Sequence, residues 1–281
     1  MTMRKILSIT TGRATSDGAG VSLTRLFGGA APERFDPFLM LDEFGSDDPD
    51  EYIAGFPPHP HRGFETVTYM LEGRMRHEDH LGNVGLLESG GVQWMTAARG
   101  VIHSEMPQQE QGVIRGFQLW LNLPAKSKLI DPEYRDFAPL EIPRIKLSDG
   151  IEAVVIAGQF SAQGIEQAGA VQRPDTDPQL FDIHLPAGTH LSPALPDGHR
   201  LLLYVFEGEL LVGDERVARN QLVRLSDDGE LQLSSSSGAR VLLLAGKPLG
   251  EPIVQYGPFV MNSRDEIEQA LRDFRDGVFT D

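Results

Sequence analysis

The sequence predicts an all-β fold in two similar halves, closed by one short helix. Short strand-like runs recur at intervals of about ten residues between glycine and proline turns, as in a β-sandwich or barrel. The run Tyr69-Met-Leu-Glu-Gly73 returns as Tyr204-Val-Phe-Glu-Gly208, an offset of 135 residues that marks an internal duplication. Helical periodicity is clearest in the C-terminal stretch, where Ile267, Ala270, Leu271 and Phe274 fall at helical spacing.

The composition narrows the function. The chain has 281 residues, enough for one large domain or two ordinary ones. It contains no cysteine, so disulfides, thiolate metal sites and cysteine nucleophiles are excluded. Any metal must be held by His, Asp or Glu. A net charge of −16 repels phosphate backbones and anionic lipid, so no direct nucleic-acid or membrane partner is expected. No apolar run reaches the ~18 residues of a membrane span. The N-terminus lacks the apolar core of a signal peptide. A cytoplasmic monomer is the expectation.

The glycines between Gly12 and Gly20 lack the Gly-Lys-Ser/Thr ending of a phosphate loop and read as a turn between edge strands. Phe35 to Phe44 is a short apolar run bounded by proline and acids, a buried strand. Asp42 and Glu43 are adjacent, so a strand sends them to opposite faces and they form no catalytic dyad.

The stretch from Phe56 to Glu105 carries the chemistry. It opens on His59-Pro-His61 and closes on His103-Ser-Glu105. Both pairs are spaced i, i+2, which puts each pair on one face of a strand. Two such strands side by side can aim three imidazoles and one carboxylate at a point. That set suits a transition metal: four ligands fill a tetrahedral zinc site or leave about two positions open on a six-coordinate ion. With eight histidines in the chain, either pair alone is weak. The metal reading rests on the two pairs standing together with strand-like sequence between them.

Pro60 places the first pair at a strand start or sheet edge. If the strand runs on from His59, Glu65 shares its face and is a second carboxylate candidate, as ligand or as support for a ligand histidine. His77 and His80, spaced i, i+3, do not share a strand face and read as rim residues. Strands are predicted over Phe64–Leu71, Val92–Thr96, Val101–Glu105 and Arg115–Leu123.

Residues 124–143, with several prolines and mixed charge, read as a linker with a short helix around Asp131–Asp136. They divide the chain into an N-terminal domain, 1–135, and a C-terminal domain, 136–281. At the 135-residue offset His59 falls on Ala194, His61 on Pro196 and Glu65 on Arg200, so the second half carries no matching ligands. Its histidines, His184, His190 and His199, are scattered. Ser263-Arg-Asp-Glu266 is a capping box and Gly277 a helix stop, so the second domain ends in an amphipathic helix.

Four segments together resemble the pirin family: Phe35-Asp-Pro-Phe-Leu-Met-Leu-Asp-Glu-Phe44, His59-Pro-His-Arg-Gly-Phe-Glu-Thr66, Gln93-Trp-Met-Thr-Ala97 with His103-Ser-Glu-Met-Pro107, and Tyr256-Gly-Pro-Phe-Val-Met-Asn262. The resemblance spans nearly the whole chain. It implies a bicupin: two cupin barrels (double-stranded β-helices, or jelly rolls) packed face to face. It implies one metal in the first barrel, commonly iron as Fe(II), on His59, His61, His103 and Glu105. The same ligands accept Cu, Ni, Co, Mn or Zn. The second barrel is implied to be empty. The general cupin pattern puts the carboxylate where Glu65 stands; the pirin pattern puts it at Glu105 and leaves Glu65 supporting.

Two functional readings follow from the resemblance. In the first, the protein is a quercetin 2,3-dioxygenase: a flavonol and dioxygen meet at the metal, and Glu105 or Glu65 takes the flavonol's hydroxyl proton. Phe56, Phe64, Met75 and Trp94 are candidates for the pocket mouth. In the second, the metal's redox state regulates binding to a protein partner.

Overall fold

Strands form where apolar residues alternate or run between glycine turns. In the computed structural model, which describes residues 2–29 and 34–280, the described residues are mostly strand with one α-helix. Two units emerge. One comprises Arg13–Leu140 and the segment from Leu249 onward; the other comprises the segment up to Gly12 and Glu141–Pro248.

Among its described residues the first unit holds two main antiparallel sheets and the two-stranded hairpin Val254–Tyr256/Phe259–Met261. The larger has seven strands, in the spatial order Glu133–Phe137, Val92–Thr96, Phe64–Glu72, Ile114–Asn122, Phe38–Ser46, Val21–Phe27 and Arg13–Asp17. The smaller has four: Phe56–His61, Val101–Pro107, Arg74–Asp79 and Val84–Glu88. Val21, Leu23, Phe44, Met70, Met75 and Ile114 pack into one apolar cluster. Asp42 and Glu43 diverge as a strand requires: Asp42 pairs with Arg25 and Glu43 with Arg115. Of the segment between Gly12 and Gly20, Arg13–Asp17 is an edge strand and only Gly18-Ala19-Gly20 is the turn to its partner Val21–Phe27.

The second unit is built on a ten-stranded antiparallel sheet system. Leu201, Leu203 and Val205 share a strand face and join Ile183, Val223, Val241 and Leu243 in one apolar core. The duplicated run occupies corresponding strands, Phe64–Glu72 and Arg200–Val212. Its glycines, Gly73 and Gly208, both adopt left-handed backbone, with φ of 96° and 68°. His184 and His190 are exposed, whereas His199 is buried and paired with Asp177 at 2.9 Å.

The division at residue 135 needs correction at both ends of the chain. Strand Ile6–Thr11 pairs with Gln221–Leu225, so the N-terminal segment completes the second unit's sheet. Arg4 fixes it there, donating to the carbonyls of Gly229, Ser226 and Pro196. Conversely, the C-terminal helix, Arg264–Asp276, belongs to the first unit. Its Ile267 and Ala270 pack with Phe259, Met261, Phe279 and Ile102. The caps stand as expected: Ser263 Oγ accepts from the Glu266 N–H, and Gly277 ends the helix at φ 76°. The helix expected near Asp131–Asp136 is instead strand Glu133–Phe137, paired with Val92–Thr96. Tyr134 and Phe137 suit a pleated sheet, and the neighbouring edge offers backbone partners.

Candidate metal centre

The site is made by one strand pair in the four-stranded sheet. Phe56–His61 runs antiparallel to Val101–Pro107, with His59 opposite His103 and His61 opposite Val101. Three prolines are tolerated in Phe56–His61 because it is an edge strand. The register brings the three rings together. Their centroids lie 4.7 Å apart for His59 and His61, 4.4 Å for His59 and His103, and 5.0 Å for His61 and His103. One nitrogen from each can lie within 4.8 Å of the others.

The imidazoles suit a metal chemically. His59 Nδ1 lies 2.8 Å from the Pro57 carbonyl oxygen, so Nδ1 carries the proton and Nε2 keeps its lone pair. His61 Nδ1 and both nitrogens of His103 are buried without a hydrogen-bond partner. Such orphans are costly unless something else binds them. Burial, reinforced by the neighbouring rings His103 and His59, pushes His61 well below its ordinary value, against Glu105. Burial pushes His103 down to about 3, also against Glu105. Neutral imidazoles are the form that ligates a metal.

Glu105 is held differently. A register shift between His103 and Glu105 turns it toward the next strand, where it stands opposite His77. His77 Nε2 donates to Glu105 Oε1 at 2.8 Å, and Thr68 Oγ1 lies 3.2 Å from the same oxygen. Thr68 makes its shorter contact, 2.7 Å, with Gln118 Oε1. Burial opposes the Glu105 charge. The His77 hydrogen bond and the neighbouring rings outweigh it and hold the carboxyl well below its usual range. Both contacts fall on Oε1, which leaves Oε2 for a ligand.

His77 is thus the residue beside the candidate ligand Glu105 that no local pattern in the sequence marks. It is fully buried, whereas a rim position was expected. The i, i+3 spacing with His80 was uninformative because only His77 points inward; His80 is exposed. Removing a residue that orients a metal ligand typically costs 10–100-fold in affinity. His77→Ala should therefore weaken metal binding by about that factor, measured by competition with a chromophoric chelator.

Glu65 does not join the site. The chain turns at Gly63, φ 91°, so Phe56–His61 and Phe64–Glu72 are separate strands in different sheets. Residues share a face at i, i+2 spacing only along one continuous strand. Glu65 is buried opposite Thr96, whose hydroxyl donates to its Oε1 at 2.7 Å. Glu65 is neither in the histidine cluster nor among the residues that line the cavity above it.

A cavity of 610 Å³ opens over His59, His61 and Glu105. Phe56 and Met75 line it as expected. Phe64 and Trp94 are core residues, and Trp120 takes the wall position instead, its ring 5.3 Å from that of His61. The C-terminal hairpin Val254–Tyr256/Phe259–Met261 contributes Gln255, Gly257 and Pro258. This hairpin is tied to the ligand strand. Arg62 N–H donates to Pro258 O at 3.1 Å, and Val260 N–H to Arg62 O at 3.0 Å. The Arg62 guanidinium bonds Asp273 and the Phe279 carbonyl.

Comparison with known proteins agrees with this architecture. Residues 20–121 match the pirin family model, and residues 180–280 match that of the pirin C-terminal cupin domain. A Pseudomonas aeruginosa protein provisionally named quercetin 2,3-dioxygenase is 66% identical over 278 residues, 98% of each chain. Pirin of Rattus norvegicus is 38% identical over 279 residues, 97% of this chain and 92% of its own. The crystal structure of a quercetin 2,3-dioxygenase from Acinetobacter baumannii superposes with a TM-score of 0.92 at 35% identity, over 99% of both chains. The two cupin domains and the segments that flank them are those of a pirin, and this chain belongs to the pirin family.

Proposed function

We propose that this pirin is a metal-dependent dioxygenase acting on a flavonol of the quercetin type. The observation that carries the reading is the clustering of three imidazoles, His59, His61 and His103, with His59, His61 and Glu105 lining a cavity of ligand size. His59, His61, His103 and Glu105 would hold one divalent metal, with Fe(II) the expected ion. Bound there, the metal supplies Lewis acidity and a path for electrons to dioxygen. The names borne by the Pseudomonas and Acinetobacter relatives support the substrate class.

The chain's own residues supply the rest. Trp120, Phe56 and Met75 give a flat aromatic ligand an apolar wall and exclude water from its central ring. His77 and Thr68 fix Oε1 of Glu105. A carboxylate held far below its ordinary range is a weak base, so the geometry favours Glu105 as a ligand. As a weak base and a ligand, Glu105 does not take the flavonol 3-hydroxyl proton, which passes to water as the bound flavonol ionises. The central ring then takes up dioxygen and opens with loss of carbon monoxide. A site serving only a protein partner would need no cavity of 610 Å³, which favours the enzymatic reading over the regulatory one.

Anaerobic titration with quercetin tests this. Metal-loaded protein should shift the flavonol absorption band saturably at one ligand per chain, and metal-free protein should not. The absence of a shift with any of the six candidate metals would overturn the reading.

A further inference from the structure

The seven-stranded sheet forms one wall of the cavity, and a single polar row crosses it. Thr68 stands opposite Gln118, Gln118 opposite Asp42, and Asp42 opposite Arg25. The last three line the cavity. The rows on either side bring apolar groups to the same wall: Trp120 opposite Met40, and Phe44 opposite Leu23. Any polar contact that this sheet makes to a ligand therefore comes from the one row.

Most of the row is committed. Both Asp42 oxygens accept from Arg25, at 2.9 and 2.7 Å, and Arg25 also reaches Asp17 at 3.1 Å. Thr68 Oγ1 lies 2.7 Å from Gln118 Oε1 and 3.2 Å from Glu105 Oε1. A hydroxyl has one proton to give. Hydroxyl-to-oxygen bonds centre near about 2.7–2.8 Å and extend to about 3.0 Å. The proton therefore goes to Gln118, which turns the amide oxygen toward Thr68 and its NH₂ group away.

That NH₂ group opens on the cavity. Gln118 is only partly buried and shares a strand face with Trp120, two residues on, so both side chains reach the same space. Its Nε2 retains accessible surface and has no acceptor among the described residues. The support is rigid, because its strand is paired on both sides and Thr68 holds the other end of the amide. A ligand that fills the cavity excludes the water this donor would use and must offer an acceptor in its place.

We propose that Gln118 is a specificity-determining ligand contact, whose Nε2 donates to a hydroxyl oxygen of the ligand other than the one that reaches the metal. The Thr68 hydroxyl separates the amide from Glu105, so the donor addresses a part of the ligand beyond the atoms at the metal. The assignment rests on the flavonol reading and sharpens it: the preferred ligand is a flavonol hydroxylated on its outer rings.

The experiment compares quercetin with 3-hydroxyflavone, which lacks the outer hydroxyls. Both are titrated anaerobically into metal-loaded wild type, Gln118→Met and Gln118→Leu. Metal affinity is measured in the same proteins without flavonol. Loss of one hydrogen bond should lower affinity for quercetin about threefold to tenfold. Affinities for 3-hydroxyflavone and for the metal should change less than about twofold. Equal losses for both flavonols, or no loss for quercetin, would overturn the assignment and leave the flavonol reading standing. A parallel fall in metal affinity would also overturn it, since Gln118 would then act only through Thr68 and Glu105. Wild type that binds neither flavonol would overturn both readings. Two variants are used so that misfolding of one does not remove the comparison.

Discussion

Lys128→Met should lower the stability of the first unit by about 3 kcal/mol, because three buried acceptors lose their donor and each one left unsatisfied costs about 1–3 kcal/mol, less whatever relaxation recovers. Lys128 is 1% exposed, and its Nζ donates to Gly63 O at 2.7 Å, Asn122 Oδ1 at 2.7 Å and Val260 O at 3.0 Å. Three donors meet three acceptors, each buried. Methionine keeps the length of the stem and strands all three oxygens. An arginine fork is too broad for this site, so Lys128→Arg should not rescue it. Thermal unfolding followed by circular dichroism measures the loss, with a midpoint drop of about 10 °C expected.

The same lysine gives a pH signature. Burial pushes its ammonium down to about 7, against the carboxylates Glu251, Glu266 and Asp36. The unfolded chain keeps this proton to about pH 10, so the folded state binds fewer protons between about 7 and 10. Lys128 therefore makes stability rise with pH across that window, and its burial penalty is full below it. Lys128→Met should flatten that rise. An unchanged slope would count against the assignment.

His61→Ala should abolish metal binding at micromolar metal while leaving the fold intact. The variant removes one of three mutually close imidazoles, and its strand retains the backbone pairing with Val101–Pro107. The apolar clusters of either unit do not include His61. Wild type should gain thermal stability when metal is added, because a ligand that binds only the native state stabilises it. The variant should gain none. Equal metal-induced shifts in both proteins would remove His61 from the ligand set.

Much of this site was legible in the sequence, for a local reason. The i, i+2 pairs at His59/His61 and His103/Glu105 express strand geometry directly, and the capping box at Ser263 expresses helix geometry as directly. Long-range placement was hidden. His77 meets Glu105 only through the pairing of strands Arg74–Asp79 and Val101–Pro107, which no local pattern encodes. Lys128 sits in a proline-rich segment where a lysine ordinarily marks solvent, yet it is drawn inward by carbonyls from Gly63 and Val260. The exchange of terminal segments between units has the same origin, since any strand edge can accept a segment from far along the chain. Glu65 is the instructive miss: Gly63 was visible as a turn residue, and a break there would have removed Glu65 from the histidine face.

Dioxygen uptake with quercetin distinguishes a dioxygenase from a protein that only binds a metal. The protein is stripped of metal, reloaded with iron, copper, nickel, cobalt, manganese or zinc in turn, and assayed beside His61→Ala. A dioxygenase of this kind shows quercetin-dependent uptake that requires metal, is accompanied by carbon monoxide, and falls to the metal-free background in the variant. No uptake by protein shown to hold one ion per chain, or uptake unchanged in His61→Ala, would contradict the dioxygenase reading.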